Sequence, residues 1–325
     1  MEALLEGIKD GTIDMVTSDH NPLNIELKKI SYWFRTNELS LHPSKTKFVI
    51  FSKNDENLNF HDVNIVVNHN NDNQNNEDLI TKLSCVNINN DTPAIKFLGV
   101  YLDPKLNFKY HIDMIHSKIS RSLYAINTAK HLIDKTALKT LYNSLIHSHL
   151  NYCIPIWGSA AKSHLNKLEL QQKRAVRIIS NSNYNAHTVP IFKLLNILPI
   201  SEQMKYSNLQ IMYDYINHKL PCSFDHIWQR NNQRADRLLR NARSFDIPYV
   251  RLQSFKNFPL SEFPRLWNEI IISNTNPNVL HNNIEIDIYT FTEIMSKRQF
   301  SKKLKKLLLD KLTLLCRRDN CAECN

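Results

Sequence analysis

The chain reads as an α+β protein, mainly α, with a small β-forming segment followed by a helical body. Two observations carry this. The strand candidates all lie before residue 104, whereas apolar residues recur at helical spacing from residue 108 onward. With only four glycines in 325 residues, the sequence also has little room for the glycine-rich phosphate loops of a Rossmann-type fold.

Three regions follow: 1–104, 105–182 and 183–325. In the first, residues 22–38 form a helix, with Asn21 placed as N-cap and Pro22 at the first helical position. Leu23, Leu27, Ile30 and Phe34 line one face of it. A turn at His42-Pro43-Ser44 leads to a strand from Thr46 to Ser52. Residues 53–92 form an insert whose centre, NHNNDNQNNED (68–78), is polar and of low complexity. Such a run buries no apolar area, so it is expected to be a loop or disordered. Strand candidates flank it, VNIVV (63–67) and LSCVNI (83–88). Then KFLGVYL (96–102) reads as one apolar strand, packing through Phe97, Leu98, Val100 and Leu102. Gly99 within it marks a bulge or a close approach of backbone. Asp103-Pro104 closes it with a tight turn.

Three amphipathic segments make up 105–182: 108–131, 135–150 and 162–180. Phe108, Ile112, Ile115, Ile119, Leu123 and Ile126 stripe the first. Leu138, Leu141, Tyr142, Leu145 and Ile146 stripe the second, and Leu165, Leu168, Val176 and Ile179 the third. Short connections between such stripes suit a helical bundle. Beyond 183 the pattern is of helices broken by prolines, at 187–196, 201–218 and 222–230. Trp267, in PRLWNEI, is placed in the core. The last amphipathic run, 297–312, carries Leu304, Leu307, Leu308 and Leu312 on one face and Lys302, Lys303, Lys305 and Lys306 around it. It suits docking, RNA contact or an anionic membrane surface, and docking is the reading preferred.

Charge separates the regions. Residues 1–104 hold nine Lys and Arg against fifteen Asp and Glu, while 105–325 hold thirty-two against sixteen, within a net charge of +10. A basic carboxy-terminal part is the footprint of a polyanion binder, because Lys and Arg displace counterions from phosphates. A solvated basic surface is the plainer alternative. Two clusters sharpen the expectation. Lys173, Arg174 and Arg177 lie within one helical turn, fit to track a phosphate backbone. Arg230, Arg234, Arg237, Arg240, Arg243 and Arg251 crowd a stretch with Phe245, Tyr249 and Phe255, which offer faces for base stacking.

Metal and nucleophile chemistry finds little support. His147 and His149, two apart, face differently on a helix and join no carboxylate pair, and His111 and His116 read as packed or solvated. Cys316, Cys321 and Cys324 supply three local thiols where tetrahedral zinc needs four ligands. No Ser-His-Asp or Cys-His signature is present. The amino terminus has no secretory pattern, and the most apolar late stretch is interrupted by Lys305, Lys306, Asp310 and Lys311. An intracellular protein with reduced thiols is expected, nuclear or cytoplasmic, without a membrane.

Several words of the sequence, in order, resemble the reverse transcriptase of non-LTR retrotransposons of the jockey-like and LINE-like group. They are Trp33-Phe34, Asn37, Leu39-Ser40-Leu41, Lys45-Thr46-Lys47, the run Lys96–Asp103 and His111-Ile112. LNYCIPIWGSA (150–160), LELQQKRAVRII (168–179), LLNILPI (194–200) and PRLWNEI (264–270) continue the likeness. The resemblance implies a palm's rear edge, a primer-grip hairpin bearing Lys96 and Gly99, a thumb over 105–182 and a basic carboxy-terminal extension. RNA and DNA become the implied partners. The polymerase reaction needs clustered carboxylates that hold two divalent ions, Mg²⁺ in the intact family. By the same resemblance Asp10 in IKDGT matches the first aspartate of the catalytic hairpin, with Gly11 in place of the second. Lys45 matches a lysine beside the nucleotide site. Both are expected to be vestiges, because a lone aspartate cannot assemble the metal site. The expectation is therefore a truncated polymerase fragment that binds RNA or DNA and needs no cofactor itself, with an upstream polymerase segment as a partner if one is encoded elsewhere. A non-catalytic nucleic-acid-binding module and a decayed transposon relic are the alternatives.

Overall fold

The computed structural model describes residues 22–39, 46–49, 51, 66–68, 80–82, 84–85, 94–229, 245–249, 251, 256–275 and 295–312. The chain divides into two compact units, Met1–Tyr110 and His111–Asn325. The fold is α+β and mainly α.

In the first unit, helix α1 (Pro22–Thr36) begins at the proline expected at its first turn. Its Ile30 is exposed rather than packed, as are Tyr32 and Trp33. The strands are short and paired in twos. β1 (Lys47–Phe48) runs parallel to β4 (Ser84–Cys85), and β2 (Val66–Asn68) antiparallel to β3 (Ile80–Lys82). The asparagine-rich residues 69–78 lie between β2 and β3, outside the described residues.

The KFLGVYL run is not one strand. It is a hairpin, β5 (Ile95–Phe97) against β6 (Val100–Leu102), with Leu98 and Gly99 at its tip. Both tip residues have positive φ, 44° and 86°, the backbone twist that two-residue hairpin turns require. Gly99 thus makes the turn rather than a bulge. Folding the run back on itself also splits the expected apolar face: Val100 is buried, whereas Phe97 and Leu98 stand 61% and 75% exposed. Asp103 then closes the segment. Its carboxylate accepts the amides of Lys105, Asn107 and Phe108 at 3.2, 3.0 and 2.7 Å, an Asx-type turn that aims the chain into the next helix.

The second unit is helical. α2 (Lys109–Ala129) buries Ile112, Ile115, Ile119, Leu123 and Ile126, the stripe read from sequence. Asp134 caps α3 (Lys135–Tyr142) by accepting the amides of Thr136 and Ala137. A π-helical turn, Asn143–His147, follows and passes into α4 (Ser148–Asn151). It explains why Leu145 is 36% exposed although its spacing placed it inside. Steps of four drift off a 3.6-residue helix, and the wider π turn absorbs the drift. Leu138, Tyr142, Ile146 and Leu150 therefore stay on one buried line.

After α5 (Ile154–Trp157) comes α6 (Lys162–Ser180), which runs over the interval expected. α7 (Thr188–Leu194) and α8 (Ile200–Ile216) follow. The helix expected at 222–230 is a single 3-10 turn, Cys222–Phe224, stapled below by the Tyr215 hydroxyl donating to Asp225 and Trp228 carbonyls. α9 (Pro259–Thr275) and α10 (Lys297–Lys311) both lie against α8. α10 opens with a reciprocal cap between Ser296 and Gln299 and buries Phe300, Leu304, Leu308 and Leu309, so the last amphipathic run is docked. Trp267 is 5% exposed, in the core as expected.

Candidate nucleic-acid interface

The charged residues singled out in the sequence meet different fates. On α6, Lys173 is half-buried and held by Glu169 at 2.6 Å. Arg177 turns inward to the loop after the helix, its Nε donating to the Ala186 carbonyl at 3.0 Å. Arg174 stands exposed. Two of the three thus have partners within the chain, and Arg174 is the most exposed of them.

What Arg174 and Arg177 do share is a groove of about 510 Å³ between α2 and α6. One wall is the outer edge of α2, with Tyr124, Asn127 and then Lys130. The other is α6 with the loop that follows, reaching Tyr184. Its lining includes the cations Lys130, Arg174 and Arg177 and no carboxylate. That asymmetry gives a positive concavity with Asn127, Gln171 and Asn181 among its lining, where an anion meets no opposing charge.

The walls are fixed by contacts that the apolar stripes do not reveal. Gln171, buried on α6, bonds His116 Nε2 at 2.9 Å and donates to the Ser120 hydroxyl at 3.1 Å. Lys167 pairs with Asp113 at 2.7 Å. The loop beyond α6 turns at Asn181, whose φ of 56° is left-handed, and is tied back by Ser182 N–H to the Arg177 carbonyl at 3.0 Å. Tyr124 and Tyr184, 77% and 75% exposed, therefore stand on a rigid frame. Sequence reading missed both, since a tyrosine on a polar helix face or in a loop carries no signal of its own.

Elsewhere, Lys96 is exposed on β5, 5.9 Å from the centre of the Tyr101 ring, and Gly99 is exposed at the hairpin tip. Arg230, Arg234, Arg237, Arg240 and Arg243 lie outside the described residues, as do Phe255, Asp10, Lys45, Cys316, Cys321 and Cys324. Of that arginine-rich stretch, Arg251 and Tyr249 line a separate concavity of about 880 Å³, with Tyr249 90% exposed. Phe245, offered as a stacking face, is instead core. It is 2% exposed, and the Asn268 side chain bonds its N–H and carbonyl at 2.9 and 2.8 Å.

Of the four histidines singled out in the sequence, only His111 is buried. His111 is buried edge-on to Trp157, ring centres 5.8 Å apart, and burial, aided by Lys118, lowers its pKa to about 4. His147 is also held below its ordinary value, first by burial and further by Lys305, against an opposing hydrogen bond with Gln203. Among the described residues no three His, Cys, Asp or Glu side chains converge as a metal site, and no helix is long and apolar enough to cross a membrane.

Comparison with known proteins points in one direction. The chain is 30% identical over 116 residues to the RNA-directed DNA polymerase from mobile element jockey of Drosophila melanogaster, a match of 34% of this chain and 13% of that protein. It is 29% identical over 119 residues to the probable RNA-directed DNA polymerase from transposon BS of the same fly, covering 35% and 13%. With the probable RNA-directed DNA polymerase from transposon X-element it shares 22% identity over 151 residues, 46% of this chain and 15% of the relative. Its homologues are thus non-LTR retrotransposon polymerases, of whose length the matches span about a seventh. No family model and no solved structure matches the chain.

Proposed function

We propose that this chain is a nucleic-acid-gripping segment of an RNA-directed DNA polymerase of the non-LTR retrotransposon kind, and that it binds RNA or DNA without performing the polymerase reaction itself. The observation that carries the reading is the groove between α2 and α6, positive and free of carboxylate, on a helical unit of a chain whose curated relatives are such polymerases. Arg174 is the residue best placed to meet phosphate, being exposed and at the groove. Lys130, half-buried beside it, adds a second charge, and Arg177 holds the frame. The segment thereby corresponds to a thumb, and the β5–β6 hairpin with Lys96 and Gly99 to a primer grip.

No polymerisation is assigned to these 325 residues. Two-metal chemistry needs clustered carboxylates, and the IKDGT word offers Asp10 with a glycine beside it. Within the proposal Mg²⁺ and an upstream polymerase segment belong to the complete enzyme, and the site of action is inside the cell.

The test is the salt dependence of binding to an RNA–DNA heteroduplex or a single strand. Each phosphate that a removed cation no longer neutralises lowers the slope of log K against log salt by about one unit. Changing Lys130 and Arg174 together to Gln is expected to flatten it by about two units. Lys173→Gln, already paired with Glu169, is expected to leave it nearly unchanged. Absence of salt-dependent binding by the unaltered chain overturns the proposal.

A further inference from the structure

The groove has a second chemistry that its charge does not explain. Tyr124, on α2, and Tyr184, in the loop after α6, are two of the most exposed aromatic side chains of the helical unit, and both line it. Neither side chain makes a ring contact or a hydrogen bond with the rest of the described residues. An exposed tyrosine face costs apolar surface in water, and no described residue covers these two.

From the two exposed rings and the cations that line the same groove we infer that it takes an unpaired stretch of nucleic acid, whose bases stack on Tyr124 and Tyr184 while Arg174 and Lys130 meet its phosphates. The inference rests on the proposed nucleic-acid role and names which form of nucleic acid the groove selects. In a duplex the faces of the bases are already occupied by neighbouring pairs, so a tyrosine beside it finds only edges and backbone. A single strand offers free faces, and stacking there tolerates any base. The frame is ready without rearrangement. Gln171 ties α6 to His116 and Ser120 of α2, and Arg177 with Ser182 fixes the loop that presents Tyr184. These ties hold the backbone that carries the two rings, so the ordering cost of binding is confined to the exposed side chains themselves.

The experiment measures binding of the full chain to a fluorescent twelve-nucleotide strand of mixed sequence, as RNA and as DNA, and to the blunt duplex of the same sequence. The single strand is expected to bind several-fold more tightly than the duplex. Tyr124→Ala and Tyr184→Ala are each expected to weaken strand binding about tenfold and duplex binding less than twofold, whereas Tyr124→Phe and Tyr184→Phe retain strand affinity. Melting curves of the four variants are expected to coincide with that of the unaltered chain, because both rings are exposed. Duplex binding equal to strand binding overturns the inference. So does unchanged strand affinity in the alanine variants, or a loss in the phenylalanine variants as large as in alanine. Arg174→Gln separates the two levels. If it weakens binding while the alanine variants do not, stacking fails and the nucleic-acid role stands. If no variant alters binding, the groove is not the site and both fail.

Discussion

Gln172 and Tyr142 meet in the interior of the helical unit, the Gln172 amide donating to the tyrosine hydroxyl at 2.9 Å. The same amide donates to the Leu198 carbonyl at 2.9 Å, and its oxygen accepts the Ile200 N–H at 2.8 Å. One side chain thus joins α6, α3 and the turn that begins α8. Replacing it with the similarly shaped Met leaves a hydroxyl, a carbonyl and an amide without partners. Each such orphan costs about 1–3 kcal/mol, so Gln172→Met is expected to lower stability by at least about 3 kcal/mol in denaturant titration. Tyr142→Phe removes one bond of three and is expected to cost about 1 kcal/mol. The double variant should fall short of the sum, since both changes delete the same bond. A neutral Gln172→Met would show that the network contributes nothing.

His111 makes the fold acid-sensitive in a defined window. Buried against Trp157, it takes up a proton at about pH 4 in the folded chain but near 6.5 when unfolded. Between those values the unfolded state binds more protons, so stability is full above pH 6.5 and declines as pH falls towards 4. The melting temperature is expected to drop across that window, and His111→Phe, which keeps a ring beside Trp157, is expected to make the drop shallower. An imidazole resonance of His111 titrating near 6.5 in the folded protein would contradict this.

The purified 325-residue chain is expected to extend no primer, on RNA or DNA template, with Mg²⁺ or Mn²⁺. Template-dependent incorporation of nucleotide by material free of contaminating polymerase would refute it.

By its charge alone, the arginine-rich stretch is proposed as a second contact. Changing Arg234, Arg237 and Arg240 together to Gln is expected to flatten the salt slope of binding by about two to three units. Lys28, Lys29 and Lys53, in the acidic first part, are expected to matter much less when changed together. Equal losses from both triple changes, with melting intact, would mean that charge acts diffusely.

The apolar pattern revealed α2 and α6 almost to the residue, because one buried stripe at helical spacing is enough to define a helix against a core. It failed where local geometry decides. Nothing in the spacing of Leu145 announces a π turn, and KFLGVYL reads as a strand until Leu98 and Gly99 adopt positive φ and fold it in two. The site was legible only in part. Clustered charge drew attention to Lys173, Arg174 and Arg177, but whether a cation faces solvent depends on Glu169 and Ala186, which the folded chain brings to it. Gln171, Tyr124 and Tyr184 carry no pattern at all, since their meaning comes from the opposite wall of a groove.

Photo-crosslinking locates a bound strand on the chain. A strand carrying 4-thiouridine, bound to the full chain and irradiated, labels the peptides that touch it, and mass spectrometry reads them. Crosslinks are expected within Ser120–Lys130 and Arg174–Tyr184, abolished on changing Lys130 and Arg174 to Gln. Crosslinks confined to other parts of the chain, unaffected by that change, would contradict that placement.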